Sequence, residues 1–544
     1  MATVTMSFPG GAYLPGYDYN PSLGELINLA NATPRGTPTG TRIEYQLQNG
    51  LVLRLNGTGF AFDADGFPTA GTLTGLQLFL ANGTTVLQAV TGLNLPMIDV
   101  YDTVDAFSYD DGFNAWGMNQ WLMNGNDTVN GSSGDDDMFG HAGNDILKGN
   151  AGDDYVQGGA GKDSYDGGAG FDQLSFDDTY FDPTARRGIV LDAQAGTVTD
   201  PWGNNETFVG FEAYRGSHFA DTINGSALNE SFIGMGGRDV IDGKGGIDEV
   251  RYDRDDRRGG MDGVTVNLTT GVAIDGFGKQ DTLINIENVR GTLKADSLTG
   301  SSVANRLRGY DGNDFLDGRG GADDMWGGRG NDTYVVDNAG DRVNEDPGTD
   351  SANGTDTVRS SITFSLANTS VVFGNVENLT LTGSAAINGT GNNLNNVITG
   401  NAGNNSLSGG NGNDTLNGGA GNDILNGGAG NDKLTGGAGL DNFRFANALG
   451  TSNVDTIADF VVADDTIQLE NAIFKALTAT GTLTAAAFRA NTTGLAGDSS
   501  DRIIYETDTG KLFYDADGTG SAAGIHFATL TTKPIVTNAD FVVI

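Results

Sequence analysis

Residues 409–444 read GGNGNDTLN, GGAGNDILN, GGAGNDKLT and GGAGLDNFR, four windows of nine without a gap. Each has Gly at its first, second and fourth places, Asp at its sixth and an apolar residue at its eighth. Working outward, the same register extends back to 391 and returns at 122–176, 216–251 and 291–335. Over 21 windows the first place is Gly in 20, the fourth is Gly in 16 and the sixth is Asp in 17. The eighth is apolar or aromatic in all 21, from Val129 to Phe443. A disordered Gly/Asn-rich tract has no reason to keep an apolar residue at every eighth place, so the period marks a stacked repeat.

The period predicts an all-β chain built on a parallel β-roll. Each window supplies a tight turn and a strand of about three residues whose eighth-place side chain points inward. Two windows make one coil, so each strand stacks on the one two windows earlier, about 4.8 Å away. The sixth-place aspartates then stack at a similar spacing, where two bare charges repel by about 3.5 kcal/mol at an effective dielectric near 20. A hard divalent cation between the turns reverses that balance by bridging carboxylates and taking turn carbonyls as further oxygen ligands, which is calcium chemistry.

The nonapeptide G-G-x-G-x-D-x-U-x resembles that of RTX-type (haemolysin-type) calcium-binding proteins. The resemblance covers about 190 residues in four blocks, and DNFRF, VDTIADF and DRIIYETDTGKLFYDADGTG resemble the segment that closes many such chains. It implies calcium as cofactor and a type I secretion exporter that reads an uncleaved C-terminal signal. No positive n-region and apolar core open the chain, and the acid-plus-apolar tail Asp540–Ile544 fits the same expectation. Scarce cytosolic calcium would leave the chain unfolded for export, and external calcium would fold it.

Fifteen windows carry both the fourth-place Gly and the sixth-place Asp. Their acids are the candidate metal ligands: Asp127, Asp136, Asp145, Asp154, Asp163, Asp172, Asp239, Asp248, Asp314, Asp323, Asp332, Asp414, Asp423, Asp432 and Asp441. The windows of Asp221 and Asp296 have Phe219 and Lys294 at the fourth place, and Glu230, Asn305, Asn396 and Asn405 replace the Asp in others. These weaker windows open blocks two to four and are expected to stack without holding a full site. Two carboxylates per site, with losses at block ends, give an expectation of about ten calcium ions.

Composition agrees. Of 544 residues 86 are Gly, none is Cys, and 70 acids face 30 Lys and Arg for a net charge of -40. Eleven of the 70 acids are Glu, leaving 59 Asp, a bias that surface solvation does not explain. Such acidity excludes nucleic acid and anionic membranes as electrostatic partners and favours cations. With no Cys there is no disulfide framework or thiol chemistry. No apolar run of 18 residues exists to span a membrane.

The expected organisation is an N-terminal β-domain at 1–121, a first repeat block at 122–176, an insert with the second block at 177–251 and an insert with the third at 252–335. A spacer at 336–390, the fourth block at 391–444 and a C-terminal capping and secretion region at 445–544 follow. RRGIVLDAQAGTV recurs 75 places later as MDGVTVNLTTGVA, and Thr207, Glu212 and Asp221 recur as Thr282, Glu287 and Asp296. These inserts read as longer rungs or edge hairpins of one solenoid. At the N-terminus, TRIEYQLQNGLVLRL predicts a hairpin at Asn49-Gly50, with further strands turning at Asp63–Gly66 and Asn82-Gly83. A sandwich or meander with a short helix near 97–107 is expected, with Trp116 and Trp121 packing against the first coil. At the other end a helix near 469–478 and a hairpin at Asp508–Gly510 are expected. Asp515-Ala516-Asp517-Gly518 reads as a polar turn, since it lacks the bidentate Glu of a calcium loop.

No H-E-x-x-H or G-x-S-x-G occurs. Of three histidines, His141 and His218 fall at turn places and are expected to be exposed. Asp99, Asp102, Asp105, Asp110 and Asp111 cluster without diagnostic spacing. The expected function is a secreted, calcium-folded structural or adhesive protein of the cell surface or matrix, partnered by itself or by a surface polysaccharide. The alternative is an extracellular carbohydrate-active hydrolase or lyase whose catalytic unit would be residues 1–121.

Overall fold

Glycine at the turn places and one apolar residue per strand dictate the local structure. Each window bends sharply, runs three to six residues as a strand and buries its eighth-place side chain. In all 21 windows that residue is at most 2% exposed, Val129 at one end and Phe443 at the other. The computed structural model describes residues 3–6, 33–35, 38–39, 41–47, 51–62, 68–79, 86–96, 125–180, 182–345, 354–519 and 522–544. They fall in two units, Met1–Asp262 with Thr270–Asn288, and Gly263–Thr269 with Val289–Ile544.

In the first unit, alternate windows stack as parallel strands in steps of 18 residues. Thr128–Asn130, Ile146–Lys148 and Ser164–Asp166 form one ladder. Asp137–Phe139, Tyr155–Gln157 and Gln173–Ser175 form the opposite one. The first insert adds three strands to one ladder and a single rung to the other. Asn205–Val209 stacks in parallel on Ser164–Asp166, then reverses through Thr197–Thr199 to Val190–Asp192, on which Thr222–Asn224 resumes the parallel stack. The opposite ladder passes directly from Gln173–Ser175 to Ala213–Arg215. The 75-residue copy repeats this: Val240 pairs with Thr282 as Ser164 pairs with Thr207.

The N-terminal strands Arg42–Gln46, Val52–Phe62, Pro68–Phe79 and Val86–Pro96 form an antiparallel meander. Thr3–Met6 completes it, pairing antiparallel with Val86–Pro96 and parallel with Thr128–Asn130, so the meander continues into the first coil. The expected helix near 97–107, Trp116, Trp121 and the acids at 99–111 lie outside the described residues, as do the turns at 49–50, 63–66 and 82–83.

In the second unit one parallel ladder runs from Ser297–Thr299 through Phe315–Asp317, Thr333–Val336, Thr357–Ser360, Asn378–Leu381 and Val397–Thr399. It continues through Thr415–Ala420 and Lys433–Ala438 to Asp455–Ile457. The spacer strands are thus rungs, and the third and fourth blocks share one stack. At the C-terminus Phe541–Val543 lies parallel to Thr466–Leu469 as a last rung.

The helix expected near 469–478 is absent and the segment is a chain of turns. Phe474 and Leu477 mimic helical spacing, but the Ala476 N–H donates to the Tyr514 hydroxyl at 2.7 Å instead of continuing a helical ladder. Phe474 packs on the Tyr514 and Phe527 rings at 5.1 and 5.2 Å. The Asp508–Gly510 hairpin forms between Ile503–Glu506 and Lys511–Tyr514. Asp515 Oδ1 accepts the N–H groups of Asp517 and Gly518, a polar turn closed on itself. Against expectation His141 is buried, stacked on Phe139 at 6.1 Å, and His218 is half-buried.

Candidate metal centre

The coil geometry brings the sixth-place acids into continuous files. Within each file an acid uses one oxygen to accept the backbone N–H of the sixth-place residue one coil earlier. Asp145 Oδ1 takes the Asp127 N–H at 2.7 Å, and Asp163 and Asp172 take those of Asp145 and Asp154 at 2.8 Å. In the second unit Asp314, Asp332 and Asp432 take those of Asp296, Asp314 and Asp414, each at 2.8 Å. Outside this file the fifth-place residues form another in the reverse direction: the Asn422 and Asn431 N–H groups donate to Asn404 and Asn413 at 2.8 Å.

The second carboxylate oxygen decides the chemistry. Oδ2 of Asp145, Asp154, Asp172, Asp239, Asp248, Asp314, Asp323, Asp332, Asp414, Asp423, Asp432 and Asp441 is buried with no hydrogen-bond partner. Such a group costs about 1–3 kcal/mol, and more when charged. Each lies against the Cα of the first-place Gly five residues earlier: a Cβ on Gly234 would stand 2.5 Å from Asp239 Oδ2. At Gly418 a Cβ would also stand 2.5 Å from the Gly436 carbonyl oxygen of the next coil. The orphaned carboxylate oxygen thus packs against a glycine that no larger residue could replace, joined at Gly140, Gly149, Gly409 and Gly418 by a main-chain carbonyl oxygen of the next coil. Among the other candidates, Asp163 Oδ2 accepts from the Tyr165 hydroxyl at 3.3 Å, Asp136 Oδ2 from the Ser132 N–H at 2.5 Å, and Asp127 opens its file.

The second place governs whether a backbone N–H closes that oxygen, a feature the repeat consensus does not carry. In the twelve windows above it is Gly at positive φ or another residue forced there: His141 at 68°, Asn150 at 73°, Met235 at 65°, Lys244 at 67°, Tyr310 at 78° and Arg319 at 63°. In the opening windows Ser217, Ser226, Thr292, Ser301, Asn392 and Asn401 have no positive φ. There the second-place N–H turns inward and closes the acid: Ser217 N–H to Asp221 Oδ2 at 2.7 Å, Thr292 N–H to Asp296 Oδ2 at 2.6 Å, Ser226 N–H to Glu230 Oε2 at 2.6 Å. Where Asn replaces Asp the amide supplies donors of its own: Asn396 Nδ2 reaches Glu377 O at 2.9 Å and Asn405 Nδ2 reaches Ile387 O at 2.5 Å.

Acids outside the nonapeptides extend the files. Glu206 and Glu212 accept the N–H groups of Asp163 and Asp172 at 3.1 Å. Asp281 and Glu287 do the same for Asp239 and Asp248, and Asp455 and Asp465 close the files of Asp432 and Asp441. Each is followed two residues on by an inward apolar residue, such as Phe208 after Glu206 and Leu283 after Asp281. That acid-x-apolar signature survives where the glycines do not.

Burial dominates the electrostatics. It pushes Asp145 and Asp314 up to about 8, Asp154, Asp248, Asp323 and Asp414 to about 7, and Asp172, Asp332 and Asp423 to about 6. Acidic neighbours add to the shift, as Asp163 and Asp127 do at Asp145. A site of oxygen donors alone, dry and over-rich in carboxylate, fits a hard divalent cation and does not fit a soft one.

Comparison with known families agrees. The RTX calcium-binding nonapeptide repeat matches residues 123–147, 139–174, 216–250, 299–334, 390–425 and 419–444. Repeats of this type bind calcium. No curated protein matches the chain.

Proposed function

We propose that this RTX repeat protein leaves the cell unfolded through a type I exporter, folds on extracellular calcium and serves there as a structural or adhesive component of the cell surface or matrix. The twelve buried, orphaned carboxylate oxygens carry this reading. A chain that keeps so many acids dry and half-satisfied calls for a cation as part of its fold. Of the aspartates in the fifteen complete windows, the twelve with an open oxygen would hold the ions, about ten in all at two carboxylates per site. Calcium supplies neutralisation and cross-linking between coils, and the chain supplies carboxylate and turn carbonyl oxygens.

Phe541 is fully buried and Val543 is 2% exposed in the last rung. An exporter reading Asp540–Ile544 would have to do so before folding, when calcium is scarce. The stacked coils then act as a stiff spacer, and the N-terminal meander would make the specific contact, with a second copy or a surface polysaccharide as its partner.

The test is circular dichroism of the full chain in chelator, then with calcium. A sharp gain of β signal is expected, and an unchanged spectrum would refute calcium-coupled folding. Calcium-dependent light scattering, or retention on polysaccharide-coated surfaces, tests the adhesive role.

A further inference from the structure

Where the third block passes into the spacer, the step of the acid file lengthens. Asp332 is followed not 18 but 24 residues later by Asp356, whose Oδ1 accepts the Asp332 N–H at 2.8 Å. The chain between them makes the strand Arg342–Asn344 and then presents Glu345 to the same two carboxylates. One ligand oxygen from each of Asp332, Glu345 and Asp356 lies within 4.8 Å of the others, and the three residues are 1%, 3% and 1% exposed. Asp332 Oδ2 and Glu345 Oε2 are buried there without a hydrogen-bond partner. The other Glu345 oxygen accepts from the Tyr334 hydroxyl, which takes the Gly327 N–H at 2.8 Å. The Glu345 N–H is anchored on Phe373 O at 2.8 Å, so the carboxylate is held by the rung beneath it.

Three carboxylates cannot all stay ionised in so dry a place without a counter-charge. Calcium–oxygen bonds of 2.3–2.6 Å put two ligands on opposite sides of one ion about 4.6–5.2 Å apart. A separation of up to 4.8 Å therefore suits three oxygens around a single ion. With three carboxylates and no nitrogen or sulfur, the set selects a hard cation, and a higher ligand charge raises affinity.

We propose that Asp332, Glu345 and Asp356 form a calcium site unlike the other repeat sites, in which one repeat aspartate is completed by a glutamate and an aspartate from outside any nonapeptide, and that it fills before them. Its role is to clamp the spacer onto the third block, so that the file can continue through Asp356 and Glu377 toward the fourth. Glu377 Oε2 takes the Asp356 N–H at 2.9 Å, which shows the continuation. This deepens the reading of the repeats as calcium sites and rests on it.

The test titrates the full chain with calcium, counting bound ions, and with terbium(III), reading tyrosine-sensitised emission. Glu345→Gln should bind one ion fewer and need about tenfold more calcium for half-folding. Tyr334→Phe, which leaves every carboxylate in place, should keep the wild-type calcium count and lose the emission that appears at the lowest terbium additions. A Glu345→Gln chain with wild-type count and midpoint overturns the site. A Glu345→Gln chain that also gains stability in chelator overturns it in favour of a shared proton. An early emission phase that survives both substitutions overturns the filling order. A wild-type chain that binds no calcium fails the repeat reading itself, a separate outcome.

Discussion

Gly234→Ala displaces a carboxylate oxygen that a cation would use. The added Cβ would stand 2.5 Å from Asp239 Oδ2, with Asp239 Cγ and Cβ next at 3.3 and 3.5 Å, so only this one side chain obstructs it. A comfortable carbon–oxygen contact is about 3.3 Å, so Asp239 must retreat by about 0.8 Å. That stretches the 2.9 Å bond from the Asp221 N–H beyond hydrogen-bonding range. It also carries the free oxygen farther than the 0.3 Å tolerance of a calcium–oxygen bond, about 2.3–2.6 Å. Without calcium the cost is about 1–3 kcal/mol of overpacking, offset by about 0.4–1 kcal/mol from the stiffer unfolded chain. With calcium at about 100 times its dissociation constant a further ~2.7 kcal/mol is lost with the ion. Gly245→Ala is the control, because nothing lies within 4 Å of its Cβ and it should gain about 0.4–1 kcal/mol. The assay is the calcium concentration at half-folding and the melting temperature across a calcium series, with ions counted in parallel. If Gly234→Ala kept the wild-type ion count and calcium-dependent melting shift, the first-place glycines would be serving backbone packing alone.

The double substitution Asn401→Gly with Asn405→Asp recreates a complete window at a closed position, and calorimetric titration should count one more calcium ion; an unchanged count would break the link between second-place conformation and site. Lys244→Gly should raise the melting temperature at constant ion count, since φ of 67° costs a lysine about 1–2 kcal/mol that glycine escapes. In chelator the roll should hold more β signal at pH 5 than at pH 8. Acids raised by burial from 3.8 to about 8, such as Asp145 and Asp314, stabilise the fold fully below the unfolded value and lose that contribution as pH rises to the folded one. Calcium should reverse the order, because it needs ionised ligands and releases their protons; circular dichroism against pH with and without calcium reads both arms.

The roll was legible because the eighth place is constant: a strand that must bury one side chain per window leaves its period in the sequence, and Val129 to Phe443 all follow it. The acids Glu206, Glu212, Asp281 and Glu287 escaped because they enter the files from inserts without the glycine frame, although Glu212 and Glu287 had already shown themselves as a pair 75 residues apart. The hydrogen bond that an acid accepts from the backbone N–H of the previous coil was illegible for a different reason. Periodicity fixes which residues stack but not which atoms meet, and the carboxylates avoid direct opposition by turning one oxygen onto a main-chain N–H. The turns at 470–477 went unread because a tyrosine hydroxyl 38 residues away captures the N–H a helix would need. His141 was expected to be exposed as a turn residue, yet its place is the one that must turn left-handed beside the acid file, and there it is covered by Phe139.

That second place ties sequence to function more tightly than the aspartate does. An Asp occurs both in windows that leave an oxygen orphaned and in windows that satisfy it, so the acid alone does not define a site. Asp221 and Asp239 are one coil apart in one file, yet Ser217 closes the first with its N–H and hydroxyl at 2.7 Å, while Met235, at φ 65°, leaves the second open. Positive φ in Met, Lys, Tyr and Arg is strained, and such strain persists only where the surroundings over-determine it. Here it turns the one N–H able to quench Asp Oδ2 away from it. Opening windows do the reverse: a serine, threonine or asparagine at the second place closes the oxygen with protein donors. Blocks two to four thus each begin with windows whose sixth-place side chain is closed by the residue four places before it.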